Sequence, residues 1–152
     1  MNTLKVICCF LFVVITLALV ACRLSKESEI EKMDYREDVE QLTNRFSTLD
    51  GIESCFWKAD TIGKTNFGPT NYWMKGFLCL DENNFQKILT EYEWIADDIV
   101  FPNGIDPDIT GKDDFSWHIN KDFQSMILRQ SFVGSIYFDI TNGIVYFDVE
   151  NN

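Results

Sequence analysis

The stretch Ile136-Tyr137-Phe138-Asp139-Ile140-Thr141-Asn142-Gly143-Ile144-Val145-Tyr146-Phe147-Asp148-Val149 decides the fold class. Asn142-Gly143 stands between two runs of alternating apolar and polar residues. That is the strongest short-range signal for a two-residue type I′ hairpin, whose central residues both need positive φ. Such a loop sets Thr141 against Ile144, and counting back pairs Ile140 with Val145, Phe138 with Phe147 and Ile136 with Val149. All three of the latter pairs are apolar on both strands, and a slip of one residue would turn the whole set to the other side of the sheet. The opposite face carries Tyr137, Asp139, Tyr146 and Asp148, an amphipathic, acidic candidate binding surface. An apolar sheet face needs cover. The expected fold is therefore α+β: a twisted antiparallel sheet ending in a C-terminal hairpin at about residues 134–150, with two or three helices packed on it.

Working outward toward the amino terminus, Asp122 to Arg129 reads as a helix on Phe123, Met126 and Ile127, or as a strand on Gln124, Met126 and Leu128; the helix is preferred. Phe115 to Ile119 suits a short strand. Asp97 to Asp114 is broken by Pro102, Gly104, Pro107 and Gly111, a long loop for so small a domain, and long loops invite a functional reading. Before it, Phe85, Ile88, Leu89, Tyr92 and Ile95 recur at helical spacing, with Asp81 placed to cap the helix and Glu82 in its first turn. Asn71 to Leu80 is dense in aromatic and aliphatic residues, the best strand of the first half, and Ile52 to Thr61 is a second strand with imperfect alternation. Gly63, Asn66, Gly68 and Pro69 mark the link between them. Val39, Leu42, Phe46 and Leu49 recur at helical spacing and make Ile30 to Leu49 one amphipathic helix, ended by Asp50-Gly51. No internal repeat or second domain boundary is visible.

The amino-terminal end has a different character. Met1 to Lys5 carries one side-chain positive charge, and Val6 to Ala21 is apolar apart from Thr16, which is the layout of a signal segment. The run falls short of the roughly 18 to 20 residues that span a bilayer comfortably. It ends in Leu19-Val20-Ala21-Cys22, a large aliphatic residue three before a cysteine and a small one just before it. That ending resembles the lipobox of bacterial lipoproteins, and the resemblance covers this segment alone. It implies cleavage before Cys22, a diacylglycerol thioether on Cys22, acylation of the new amino terminus, and a bacterial cell-envelope location with the domain outside the cytoplasm. Each buried methylene contributes about 0.8 kcal/mol, so several acyl chains hold a protein on a membrane. The expected organisation is a signal helix at 1–21, the lipidated cysteine and a polar tether at 22–29, and a single α+β domain at 30–152.

Composition narrows the functional classes. The chain has 24 acids against 13 Lys and Arg, a formal charge of −11, and loss of residues 1–21 removes Lys5 and no acid. Bulk electrostatics of that sign disfavour nucleic acid and anionic headgroups and favour cationic partners. Cys8 and Cys9 leave with the signal and Cys22 takes lipid, so Cys55 and Cys79 remain as a candidate disulfide or as two small buried hydrophobes.

Chemistry-bearing motifs are sparse. His118 is the one histidine. There is no Gly-x-Ser-x-Gly elbow, no Cys-x-x-Cys pair and no phosphate-cradling glycine loop. Asp106, Asp108 and Thr110 with Gly111 echo the first half of a calcium loop, with Asp114 nearby, but Trp117 stands where the bidentate glutamate belongs. No cofactor beyond the lipid is expected. Phe56, Trp57, Tyr72, Trp73, Trp94 and Trp117 can in part form a stacking surface, although most must be core in so small a domain. These readings favour a non-enzymatic domain that binds another protein, one with basic residues. The alternatives are a lipid-anchored immunity protein that neutralises a toxin and a carbohydrate-binding or cell-wall-acting module.

Overall fold

The computed structural model describes residues 35–62, 71–129 and 132–151. The signal segment, Cys22, the tether at 22–29 and residues 30–34 lie outside the described residues. The strands are β1 (Ile52–Ile62), β2 (Asn71–Leu80), β3 (Ile95–Ala96), β4 (Trp117–Ile119), β5 (Phe132–Asp139) and β6 (Ile144–Asn151). The helices are α1 (Val39–Arg45), α2 (Glu82–Glu91) and α3 (Lys121–Leu128), with one 3-10 turn at Pro107–Thr110. The strands form one antiparallel sheet in the order β1-β2-β6-β5-β4-β3, so the C-terminal hairpin lies at its centre. Among the described residues no helix is long and apolar enough to cross a membrane.

The hairpin forms where expected, with its register moved by two residues. Asp139 pairs with Ile144, Phe138 with Val145 and Ile136 with Phe147, leaving a four-residue loop, Ile140 to Gly143. The cause is Asp139. Its carboxylate accepts hydrogen bonds from the Thr141 amide at 3.1 Å and the Asn142 side-chain amide at 2.7 Å, while its carbonyl accepts from the Gly143 amide at 3.0 Å. An aspartate that bonds the loop amides ahead of it stabilises a wider turn than the two-residue alternative. Gly143 has φ +68°, and a Cβ there would lie 2.7 Å from the Phe85 ring. Because the shift is even, each side chain keeps its expected face.

The three helices of the described residues cover one face. Leu42, Phe46 and Leu49 from α1 and the segment after it, Ile88 from α2, and Phe123, Ile127 and Leu128 from α3 bury Trp57, Met74, Leu78, Ile136, Phe138, Val145, Phe147 and Val149. Phe46 meets the Phe147 ring edge-on at 5.1 Å between centroids. Two helix boundaries differ from the periodicity. Before α1 the chain is extended, because Arg36 exchanges both backbone hydrogen bonds with Trp57 and so covers the outer edge of β1. Helix α2 ends at Glu91, and Tyr92 is already extended. Trp94 then packs on Phe138 at 4.6 Å, and the Asn120 side chain holds the Glu93 carbonyl at 2.9 Å, which turns Ile95 into β3.

The caps follow the sequence. Asp81 accepts from the Asn84 amide at 2.9 Å to start α2. Asn120 accepts from the Asp122 and Phe123 amides, both at 2.9 Å, and this double cap fixes Lys121 to Leu128 as helix.

Candidate functional site

The second sheet face is covered as well, by the long loop. Ile99, Phe101, Ile105, Ile109 and Phe115 pack with Tyr35 against Phe77, Ile144, Tyr146, Trp117 and Tyr137. Of the hairpin residues expected to form a binding surface, Asp139 and Tyr146 are therefore buried, while Tyr137 and Asp148 keep partial exposure. The correction has a physical reason: Phe77 and Trp117 place large apolar area on this face, and Phe101 closes over it, 5.8 Å from the Phe77 ring and 5.0 Å from the Tyr146 ring. Asp139 is satisfied as a buried acceptor, because the Ser116 amide donates to it at 2.7 Å besides the loop donors. Asp148 pairs with Lys75 at 2.9 Å. The Tyr146 hydroxyl has no hydrogen-bond partner among the described residues. Burial, followed by the charge of Asp148, raises its pKa far above the ordinary phenol value.

Cys55 and Cys79 are free. Cys55 is paired with Leu78 and Cys79 with Ser54, so neighbouring strands turn the two thiols to opposite faces of the sheet. Cys55 lies in the helix-side core and Cys79 packs with the loop-side cluster. The candidate disulfide is thus excluded by pleat geometry. Burial first, then the charge of Asp38, pushes the Cys55 thiol up to about 12, and burial also raises Cys79. Both shifts disfavour the thiolate that nucleophilic chemistry needs.

The calcium candidate is also corrected. The Asp106 carboxylate accepts from the Asp108 amide at 3.0 Å and caps the 3-10 turn, and the Thr110 hydroxyl donates to the Pro107 carbonyl at 2.8 Å. Asp114 lies beyond that turn, with φ +53°. The Asp106 and Thr110 oxygens thus serve turn chemistry, and among the described residues no group of three or more His, Cys, Asp or Glu is arranged to hold a metal ion. His118 is half-buried in β4 with Nδ1 3.0 Å from the Ser116 carbonyl.

The aromatic residues divide. Trp57 is in the core, beneath the Arg36 guanidinium 4.9 Å from its ring, and Trp94 packs on Phe123 and Phe138. Trp117 instead joins a cleft of about 560 Å³ lined by Asp97, Asp98, Ile99, Phe101, Phe115 and neighbouring residues. Phe115 stacks on Trp117 at 5.7 Å and 12°, and Phe101 meets the same indole edge-on at 5.6 Å. Asp97 donates its amide to the Trp117 carbonyl at 3.1 Å, which ties the acidic rim to the aromatic wall. The rim residues were not singled out as a site from sequence. The available signal was the long loop, together with Trp117 and the paired acids Asp97-Asp98.

Comparison with known proteins finds no matching family model, no matching curated protein and no matching solved structure.

Proposed function

We propose that the chain is a bacterial envelope lipoprotein, held to a membrane through lipid on Cys22, whose domain is non-enzymatic and binds another protein outside the cytoplasm. The observation that carries the binding reading is the cleft beside β3 and β4. It combines exposed carboxylates with a partly open aromatic wall, and next in the chain to its lining residues stand two apolar side chains left in solvent, Ile95 at 66% exposure and Val100 at 91%. Large exposed apolar groups beside aromatic anchors are the usual makings of a protein-recognition surface. The tether rests on Leu19-Val20-Ala21-Cys22. An acidic cleft that accepts a basic partner equally suits a domain that neutralises a toxin, which keeps the immunity reading as the second one.

Photo-crosslinking in a bacterial host tests the binding reading. The full chain carries a benzophenone amino acid singly at Val100, Glu53, Thr90 or Val133, four exposed positions on different elements. The expected result is a discrete adduct of one mass from at least one position, lost when unlabelled chain competes. Absence of any adduct from all four positions overturns it.

A further inference from the structure

We infer that the cleft beside β3 takes an arginine side chain presented on an extended segment of a partner protein. This inference rests on the protein-binding reading and names the chemistry of the partner. Three features of the cleft converge on a guanidinium.

The first is charge. Residues 91–116 hold eight carboxylates and one lysine. Asp97 and Asp98 line the cleft on adjacent positions and both are exposed. Neither carboxylate is engaged in a hydrogen bond or ion pair among the described residues. Lys75 and Asp148 supply the contrast, since that acid is already paired.

The second is the wall. Phe115 and Trp117 are stacked nearly parallel, and Phe101 closes the edge of the indole. A planar guanidinium stacks on such rings and at the same time forks toward a carboxylate, whereas an ammonium is a more strongly hydrated point charge. A neutral sugar can stack on the rings and donate hydroxyls to the acids, but it brings no charge to match two unpaired carboxylates.

The third is the edge. β3 is the last strand of the sheet, and its Ala96 stands opposite His118 between the flanking pairs Ile95 with Ile119 and Asp97 with Trp117. Since the Asp97 amide bonds inward to Trp117, alternation along an antiparallel strand turns the Ala96 amide and carbonyl to the open side. An extended partner segment can bond there while its side chain enters the cleft. The edge is two residues long and flanked by acids, which discourages pairing with like-charged copies of the chain. Ile95 and Val100, next in the chain to lining residues Ala96 and Ile99, are exposed and offer apolar area to the aliphatic stem of an arginine.

The test uses the full chain in neutral detergent micelles and an acetylated, amidated glycine–arginine–glycine–arginine–glycine peptide, with lysine and glutamate versions as controls. Binding is read from the Trp117 indole and Ser116 amide resonances. The expected result is saturable shifts at these two groups, tighter for the arginine peptide than for the lysine peptide and absent for the glutamate peptide. The double variant Asp97→Asn and Asp98→Asn weakens the arginine peptide by about tenfold or more. Removing the same charge at Glu40→Gln and Glu53→Gln leaves it within about twofold, as expected of distant solvent-screened charges. Unchanged Trp57 and Trp94 indole resonances in the Asn variants verify the fold. Shifts that avoid Trp117, or equal weakening by both charge pairs, overturn the inference. Should crosslinked adducts form at Glu53, Thr90 or Val133 while the peptide ignores the cleft, the protein-binding reading stands and the arginine cleft falls.

Discussion

Asp139 has the most structural consequences of any single residue in the described domain. It is fully buried, its carboxylate collects hydrogen bonds from Ser116, Thr141 and Asn142, and its carbonyl closes the hairpin loop. Asp139→Ala strands three donors and is expected to destabilise the fold by about 2–4 kcal/mol, with Asp139→Asn falling between it and the wild type. Urea unfolding followed by tryptophan fluorescence measures both, and a loss under about 0.5 kcal/mol for Ala would contradict the role. At the same scale, the opposite facing of Cys55 and Cys79 predicts two free thiols after export. Alkylation of the unreduced, denatured protein should label both, whereas a peptide linking them would contradict the pleat geometry. Alternation along β1 and β2 leaves that facing open, and the strand register, Cys55 against Leu78, decides it.

The elements were legible in proportion to how local their causes are. Strands β1, β2, β5 and β6 follow from aromatic and β-branched runs, and α2 from its apolar spacing and the Asp81 cap. Where a distant partner decides, the pattern misled. The hairpin loop is widened by a side-chain acceptor that type I′ turn statistics ignore, and α2 stops at Glu91, four residues before Ile95, because Trp94 is captured by Phe123 and Phe138. The choice of helix for Lys121–Leu128 is settled by the Asn120 double cap, a signal present in the sequence but overshadowed by competing periodicities. One element carries a pH prediction. The Asn84 amide bond to Asp81 lowers that carboxyl below its ordinary 3.8. A folded pKa below the unfolded one means that the capping contribution is complete above about pH 3.8 and is lost as pH falls through the depressed value. Asp81→Ala should therefore lower Tm at neutral pH, and the gap to wild type should narrow in stronger acid. A gap that stays constant down to pH 2 would contradict the assignment.

At the scale of the whole molecule, the sequence made one sheet face legible and misjudged the other. Alternation identifies which residues share a face, but it does not say that Phe101, Ile105 and Phe115 will fold back over Tyr146 and Asp139. That closure moves the candidate surface from the hairpin to the end of the sheet at β3, where acidic and aromatic residues of the long loop and β4 meet. The site was therefore half legible: the loop and Trp117 drew attention, while Asp97 and Asp98 needed the fold to give them an aromatic wall. A strongly negative domain on a short polar tether is suited to meeting basic partners near a membrane surface, provided that the tether exists. Intact mass spectrometry of the protein extracted from bacterial membranes measures that tether. The expected chain begins at Cys22 and carries diacylglycerol plus an amino-terminal acyl group, with the lipid mass absent from Cys22→Ser. A membrane-extracted chain that retains residues 1–21, or one that begins elsewhere without lipid, would contradict it.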